Sequence, residues 1–262
     1  MSDNTLDWPR PEYDKDNEPL FIFIVTPPYS GSTALCKVLN TSHRSMLLDP
    51  RGEGQWLVPG LCNTGRWQPG LDVDYESVRA VWLSKFQSIK KLTQTTDVVI
   101  EKSPPNMVRM EQLSSQFESS CFLANNRDPY ANCASILYRH HNADSLDIET
   151  RISILRKLAT DWQYRSELIK RLVQKKNIPL VTYETFCDEP GSVVEALNID
   201  EDFKASINPA AEVQVKDYGQ QPVINQNERQ TRSINSQEIE AISSVLAEEQ
   251  HLMEFFGYEI RQ

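Results

Sequence analysis

The sequence predicts an α/β fold, with a mainly parallel central sheet flanked by helices. Three observations predict it. Short apolar runs recur at 20–26, 97–101, 120–125 and 179–183. Helix-compatible stretches separate them. The runs are continuously apolar rather than alternating, the pattern of strands covered on both faces by crossover helices.

The first run, Leu20-Phe21-Ile22-Phe23-Ile24-Val25, meets the turn Thr26-Pro27-Pro28-Tyr29-Ser30-Gly31, and a helical segment follows. Gly31 lets the backbone bend sharply and approach a ligand. The amides of Gly31, Ser32, Thr33 and Ala34 then open a helix, where unpaired N–H groups attract anions, and the hydroxyls of Ser30, Ser32 and Thr33 add donors. This is a phosphate cradle. It is not a Walker loop, because the Gly-x-x-x-x-Gly-Lys-Ser/Thr spacing is absent. A plain strand–turn–helix corner capped by Ser30 has the same local pattern.

The second run ends in Ile100-Glu101-Lys102-Ser103-Pro104-Pro105, an acid and a base at a strand end. Successive strand residues face opposite sides, so both can serve one site only if the strand stops between them. Pro104 and Pro105 allow that stop. The third run, Ser120–Ala124, leads into Asn125-Asn126-Arg127-Asp128-Pro129, where Asp128 caps a helix that opens on proline and reaches His140. Arg127 stands at the carboxyl end of the strand and Ser135 eight residues later. A guanidinium fork and a hydroxyl converging there can grip a second phosphate. An Arg–Asp surface pair beside a capped helix fits the same residues.

Residues 149–176 read as a long helix, with Leu155, Leu158, Ala159, Trp162, Ile169 and Leu172 at helical spacing, which assigns Trp162 to the core. Residues 237–252 form a second amphipathic helix. His140-His141 reads as a solvated helix end. Residues 49–75 are irregular and hold five of the nine glycines. A long irregular loop between ordered elements suits a lid or acceptor pocket. Glu53, Trp56 and Trp67 are its candidate acceptor residues, since a carboxylate and indole faces hold cations. Trp anchors in a surface loop would look alike.

The chain has 262 residues, 39% of them hydrophobic, enough for a substantial core. The expected division is a flexible acidic tail over 1–19, with six acids against two bases, and one domain over 20–262. The five scattered cysteines form neither a disulfide framework nor a zinc-ligand spacing, and no metal site is expected. The polar N-terminus and the lack of an 18-residue apolar run predict a cytoplasmic protein without signal peptide or membrane span. A net charge of −10 argues against nucleic acids and sulfated polysaccharides as partners, and points to a small neutral or cationic acceptor such as a guanidinium alkaloid.

Taken in order, these segments resemble the sulfotransferases that use 3′-phosphoadenosine-5′-phosphosulfate (PAPS). Pro28-Tyr29-Ser30-Gly31-Ser32-Thr33 is similar to the family's 5′-phosphosulfate motif, Pro-(Arg/Lys)-Ser-Gly-(Ser/Thr)-Thr, at every position but one. Arg127-Asp128-Pro129 with Ser135 is similar to its 3′-phosphate motif. Val181-Thr182-Tyr183-Glu184-Thr185-Phe186 resembles its late Arg-Tyr-Glu-Asp-Leu segment, and Glu254-Phe255-Phe256-Gly257-Tyr258-Glu259 its usual bacterial ending. Glu101-Lys102-Ser103-Pro104 resembles the Glu-Lys-Ser/Thr-Pro element of heparan-sulfate and bacterial members. The resemblance spans about residues 20 to 260.

It implies a P-loop-like sulfotransferase fold, PAPS as co-substrate, the desulfonated bisphosphate PAP as product, and no metal. It implies that Tyr29 to Ala34 hold the 5′ phosphosulfate and that Arg127 and Ser135 hold the 3′ phosphate. Tyr183 would stand beside the nucleotide, and Arg229 and Arg232 would close a late loop over it. Glu101 would be the catalytic base and Lys102 would face the sulfuryl oxygens. Tyr29 departs from the family, since a phenol replaces its cation, and Lys102 is the expected substitute, ahead of Lys37. The expected function is sulfuryl transfer to a hydroxyl or amine of a small, natural-product-like metabolite. A P-loop-type kinase or other nucleotide phosphotransferase is the alternative, and a non-catalytic nucleotide-binding module a third. The acceptor, the choice between oxygen and nitrogen, and the oligomeric state are not legible in the sequence.

Overall fold

The computed structural model describes residues 18–62, 65–69, 71–215 and 219–262. The tail expected over 1–19 therefore lies almost wholly outside the described residues. The central sheet has four parallel strands: β1 (Leu20–Val25), β2 (Ser45–Leu47), β3 (Val98–Glu101) and β4 (Ser120–Ala124), in the order β2-β3-β1-β4. A lone parallel bridge from Ala124 to Leu180 extends the far edge.

Alternation along β1 explains why its run is apolar throughout. Phe21, Phe23 and Val25 face one core, with Trp82, Phe117, Phe122 and Trp162. Leu20, Ile22 and Ile24 face the other, with Leu35, Val98, Ile100 and Phe186. All six strand residues are buried. Every polar side chain on this strand would sit in a core, so none is tolerated.

The helices that cover the sheet begin with α1 (Ser32–Leu39) and α2 (Tyr75–Thr93), then α3 (Met110–Gln116) and α4 (Pro129–His140). The long α5 (Ile148–Lys176) packs on α4, and Asp147 caps it by accepting from the Thr150 amide. After it come α6 (Tyr183–Asp188), α7 (Ser192–Ala196) and α8 (Glu201–Ala205), then a small ribbon of β5 (Val213–Gln214) and β6 (Gln220–Gln221). The chain ends in α9 (Asn227–Thr231), α10 (Ser236–Leu246) and α11 (Gln250–Phe256). Asn235 and Glu238 form a reciprocal cap at the start of α10.

Two sequence expectations change. The strand expected over 179–183 shrinks to the bridge at Leu180, because Pro179 brings no N–H and Thr182 caps α6 by accepting from the Thr185 amide. The helix expected over 237–252 is broken: a tight turn over Ala247–Glu249 separates α10 from α11. Among the described residues no helix is long and apolar enough to cross a membrane.

The strand order places a switch point at β1. The chain leaves it toward β2 and β3 on one side and reaches β4 on the other, so a crevice opens at the carboxyl ends of β1, β3 and β4.

Candidate active site

A cavity of about 420 Å³ occupies that crevice, within the range of small-ligand sites. Its floor is the turn after β1. Gly31 has φ +78° and caps α1, and a side chain there would overlap the ring of Tyr183. The Ala34 and Leu35 amides donate to the Gly31 carbonyl, so the amides of Ser32 and Thr33 are those left without a helical partner, and Gly31, Ser32, Thr33 and Ala34 all line the cavity. Ser30 does not. It is fully buried behind the turn, with the Asn132 amide 3.4 Å from its hydroxyl.

Arg127 joins this floor to the end of β4. Its Nη1 donates to the Tyr29 carbonyl at 3.0 Å, its Nε to Asn227 Oδ1 at 2.8 Å, and its guanidinium lies over the Tyr183 ring, 4.1 Å from the centroid. The remaining Nη2 is buried and meets no acceptor among the described residues. Burial pulls the Arg127 pKa below its ordinary value, so this charge gains from any anion that reaches it. Buried Trp162 donates to the Arg127 carbonyl at 2.9 Å and fixes the corner from below. Tyr183 also ties down the late loop: its hydroxyl donates to the Ile224 carbonyl at 3.1 Å and accepts from the Gln226 amide at 2.9 Å. Ser135 lines the same wall.

Tyr29 is held at φ +63°, a conformation that costs a non-glycine residue about 1 kcal/mol or more. Its phenol lies 2.7 Å from His140 Nε2. Both residues and Arg139 line the cavity, while Arg139, His140 and His141 are exposed as expected of a solvated helix end, so that end borders the site.

The acid–base pair divides at the strand end. Lys102 turns into the cavity, where Nζ lies 2.8 Å from Glu53 Oε1 and 3.3 Å from Thr33 Oγ1, with its side chain 3% exposed. Glu101 turns away. It is fully buried, and its carboxylate accepts from the Gly54 amide at 2.9 Å, the Ser103 amide at 3.0 Å, the Ser103 hydroxyl and the Asn106 amide group. It is not on the cavity wall. Glu101 and Lys102 are therefore not brought to one wall, because alternation sends neighbouring side chains to opposite sides. Burial pushes the Glu101 pKa up to about 7, against the hydrogen bonds from Ser103 and Gly54 that lower it.

The carboxylate on the wall is Glu53. Its Oε2 accepts from Gln55 Nε2 at 2.7 Å and Trp56 Nε1 at 2.9 Å. Burial works to raise its pKa, but the Lys102 charge and these hydrogen bonds outweigh it and keep Glu53 below the ordinary value. Glu53 is thus engaged with Lys102 and is not an open seat for a cationic acceptor. Trp56 and Trp67 line the cavity, each under a guanidinium: Arg51 4.5 Å from the Trp56 ring and Arg165 4.9 Å from the Trp67 ring.

Arg229 and Arg232 are not brought to this wall. Arg232 pairs with Glu228 on the surface, one turn apart on the same side of α9, while the inward side presents Gln226 and Gln230. Lys37 turns away as well, donating to the Gln214 carbonyl at 2.5 Å. Sequence reasoning missed Arg51, Arg66, Arg139 and His140 as wall residues. Only the glycine-rich loop around the first two signalled them.

A family model described as "Sulfotransferase family" matches residues 19–198, more than half of the chain. The protein belongs to the sulfotransferase family, whose chemistry is sulfuryl transfer. Solved structures share the fold. A sulfotransferase from Alicyclobacillus acidocaldarius superposes with a TM-score of 0.52 at 12% identity, over 92% of this chain and 97% of that one. The sulfotransferase domain from the curacin biosynthetic pathway gives 0.54 at 16%, over 93% and 99%. The sulfotransferase domain from the Synechococcus PCC 7002 olefin synthase gives 0.52 at 17%, over 97% and 100%. No curated protein matches the chain.

Proposed function

We propose that this protein transfers a sulfuryl group from PAPS to a hydroxyl or amine of a small molecule. The observation that carries the reading is the pairing of two anion-binding corners across one side chain. Tyr183 packs against Gly31 on one side and Arg127 on the other. The amides opening α1 suit a 5′ phosphosulfate, and the unsatisfied Nη2 of Arg127, with Ser135, suits a 3′ phosphate.

Glu53 is the base in this reading. It takes the proton of the acceptor hydroxyl, the acceptor oxygen attacks sulfur, and the bond from sulfur to the 5′-phosphate oxygen breaks to release PAP. Lys102 stands between Glu53 and Thr33 and faces the charge that builds on the transferred group, in place of the cation missing at Tyr29. Glu101 is a positioning residue. It clamps Gly54 to Ser103, while the Lys102 amide donates to the Gly52 carbonyl at 2.7 Å, and so fixes the loop that presents Glu53.

Calorimetry with PAP, AMP and ATP tests the nucleotide assignment. PAP is expected to bind at least about tenfold tighter than AMP or ATP, because a charge-assisted grip on the second phosphate is worth more than 1.4 kcal/mol. Equal affinities would remove the reading.

A further inference from the structure

Among the described residues the cavity wall carries five cationic side chains, Arg51, Arg66, Lys102, Arg127 and Arg139, against one carboxylate, Glu53. In a chain of net charge −10 this is a concentrated reversal of sign. The nucleotide reading above employs Lys102 and Arg127, and Arg139 acts on Tyr29 at the cradle. Arg51 and Arg66 have no part in it; the Arg51 guanidinium also pairs with Asp49 Oδ2 at 3.4 Å, and contacts leading away from the cradle set its place. Thr33 meets Lys102, Lys102 meets Glu53, Glu53 meets the Trp56 indole, and Arg51 stacks on that indole. Arg66 is held by its own backbone, since its carbonyl accepts from the buried Arg109 guanidinium. Arg51 and Arg66 both line the cavity together with Trp56 and Trp67.

We propose, on the basis of the sulfotransferase reading, that Arg51 and Arg66 form a subsite for an oxyanion on the acceptor, a carboxylate or a phosphate-type group. The acceptor's nucleophile lies at Glu53, its body along the Trp56 and Trp67 faces, and its negative end between the two guanidinium groups. A guanidinium binds a planar or tetrahedral oxyanion through paired N–H donors, and Trp56 beneath Arg51 restrains that fork. The acid-rich surface and the basic pocket are consistent with one another: the surface keeps the protein soluble, while the pocket concentrates anions locally. The acceptor is then anionic, where net charge alone suggests a neutral or cationic one.

Four phenols with a common ring provide the test: para-hydroxyphenylacetate, para-hydroxybenzylphosphonate, methyl para-hydroxyphenylacetate and tyramine. Each is titrated calorimetrically into the protein with and without saturating PAP. The carboxylate and the phosphonate are expected to bind at least about tenfold tighter than the ester and the amine at low salt, with the gap narrowing as salt rises. Which of the two binds tighter separates a carboxylate from a phosphate-type acceptor. Arg51→Gln combined with Arg66→Gln should bring the four within about threefold of one another while PAP affinity is kept, and Arg66→Lys should retain part of the preference. Oxyanions that bind no tighter than the ester or amine, whether all bind equally or none binds, overturn the proposal. A double variant that keeps both PAP affinity and the oxyanion preference does so too. Failure of PAP to bind would instead sink the sulfotransferase reading, and the titrations without PAP would still read the subsite.

Discussion

Replacing Glu101 by glutamine separates a buried positioning carboxylate from a catalytic one. The Glu101 pKa stands at about 7 in the folded protein against an ordinary value of 4.5, because burial opposes its charge. A raised carboxylate binds its proton more tightly in the folded state than in the unfolded state. Its contribution to stability is therefore greatest at low pH and is lost as pH climbs from about 4.5 to about 7. Linkage over that interval removes about 2.5 kcal/mol of wild-type stability between about pH 5 and pH 8. Glu101→Gln is uncharged throughout and lacks this loss. The variant starts with a handicap of about 1–3 kcal/mol at low pH, because its amide NH₂ replaces a carboxyl oxygen among the donors of Gly54, Ser103 and Asn106. That handicap should shrink or reverse by about pH 8. Urea unfolding of both proteins, followed by tryptophan fluorescence across this range, measures the difference directly. Parallel stability profiles would show that Glu101 stays ionised in the folded protein and would refute the argument. Turnover supplies the second half, measured on an acceptor found with labelled donor. Glu101→Gln should stay within about tenfold of wild type, whereas Glu53→Gln should lose about 10²–10⁴-fold with nucleotide affinity kept. A folded Glu101→Gln protein with no turnover would return the base to Glu101.

Two further substitutions probe the corners themselves. Gly31→Ala places a methyl group on the Tyr183 ring in a left-handed backbone conformation, so thermal unfolding should drop and PAP affinity should fall at least about tenfold, since about 1–2 kcal/mol of backbone strain adds to the displaced ring. An unchanged melting temperature and affinity would show that the cradle lacks this geometry. Arg127→Lys keeps the charge but loses the fork that reaches Tyr29 and Asn227, and titration should show PAP bound about 10–100-fold more weakly with AMP little affected. Equal losses for PAP and AMP would move Arg127 from the 3′ phosphate to the common part of the nucleotide.

The fold was legible wherever one residue run had to satisfy two cores at once. β1, β3 and β4 are buried on both faces, so their sequences carry the signal at every position. β2 escaped because Ser45–Leu47 is a three-residue edge strand with only Met46 buried, too short to show a period. The segment after Pro179 misled for the opposite reason. Leu180 and Val181 are apolar and extended, but Thr182 offers its side chain as a helix cap, and a local hydrogen bond there replaces a strand ladder.

The site divides along the same physical line. The cradle and Arg127 are local features, a turn or cap immediately after a strand, and their residue types announce them. Which of Glu101 and Glu53 lines the cavity is not a local matter. Lys102 pairs with Glu53 across 49 residues, and the Glu101 carboxylate is engaged by Gly54, Ser103 and Asn106. A sequence shows that an acid precedes a lysine at a strand end, but alternation requires that only one of them enter the crevice, and the lysine's partner must then come from elsewhere. The loop that supplies it also brings Arg51 and Arg66 to the wall. The proposed sign of the acceptor is therefore coupled to the proposed base: the segment that places Glu53 beside Lys102 also lines the cavity with Arg51 and Arg66. Net charge summed over the whole chain cannot report this, because fields from exposed acids are screened within about 8–10 Å, whereas the cavity side chains meet their ligand at contact.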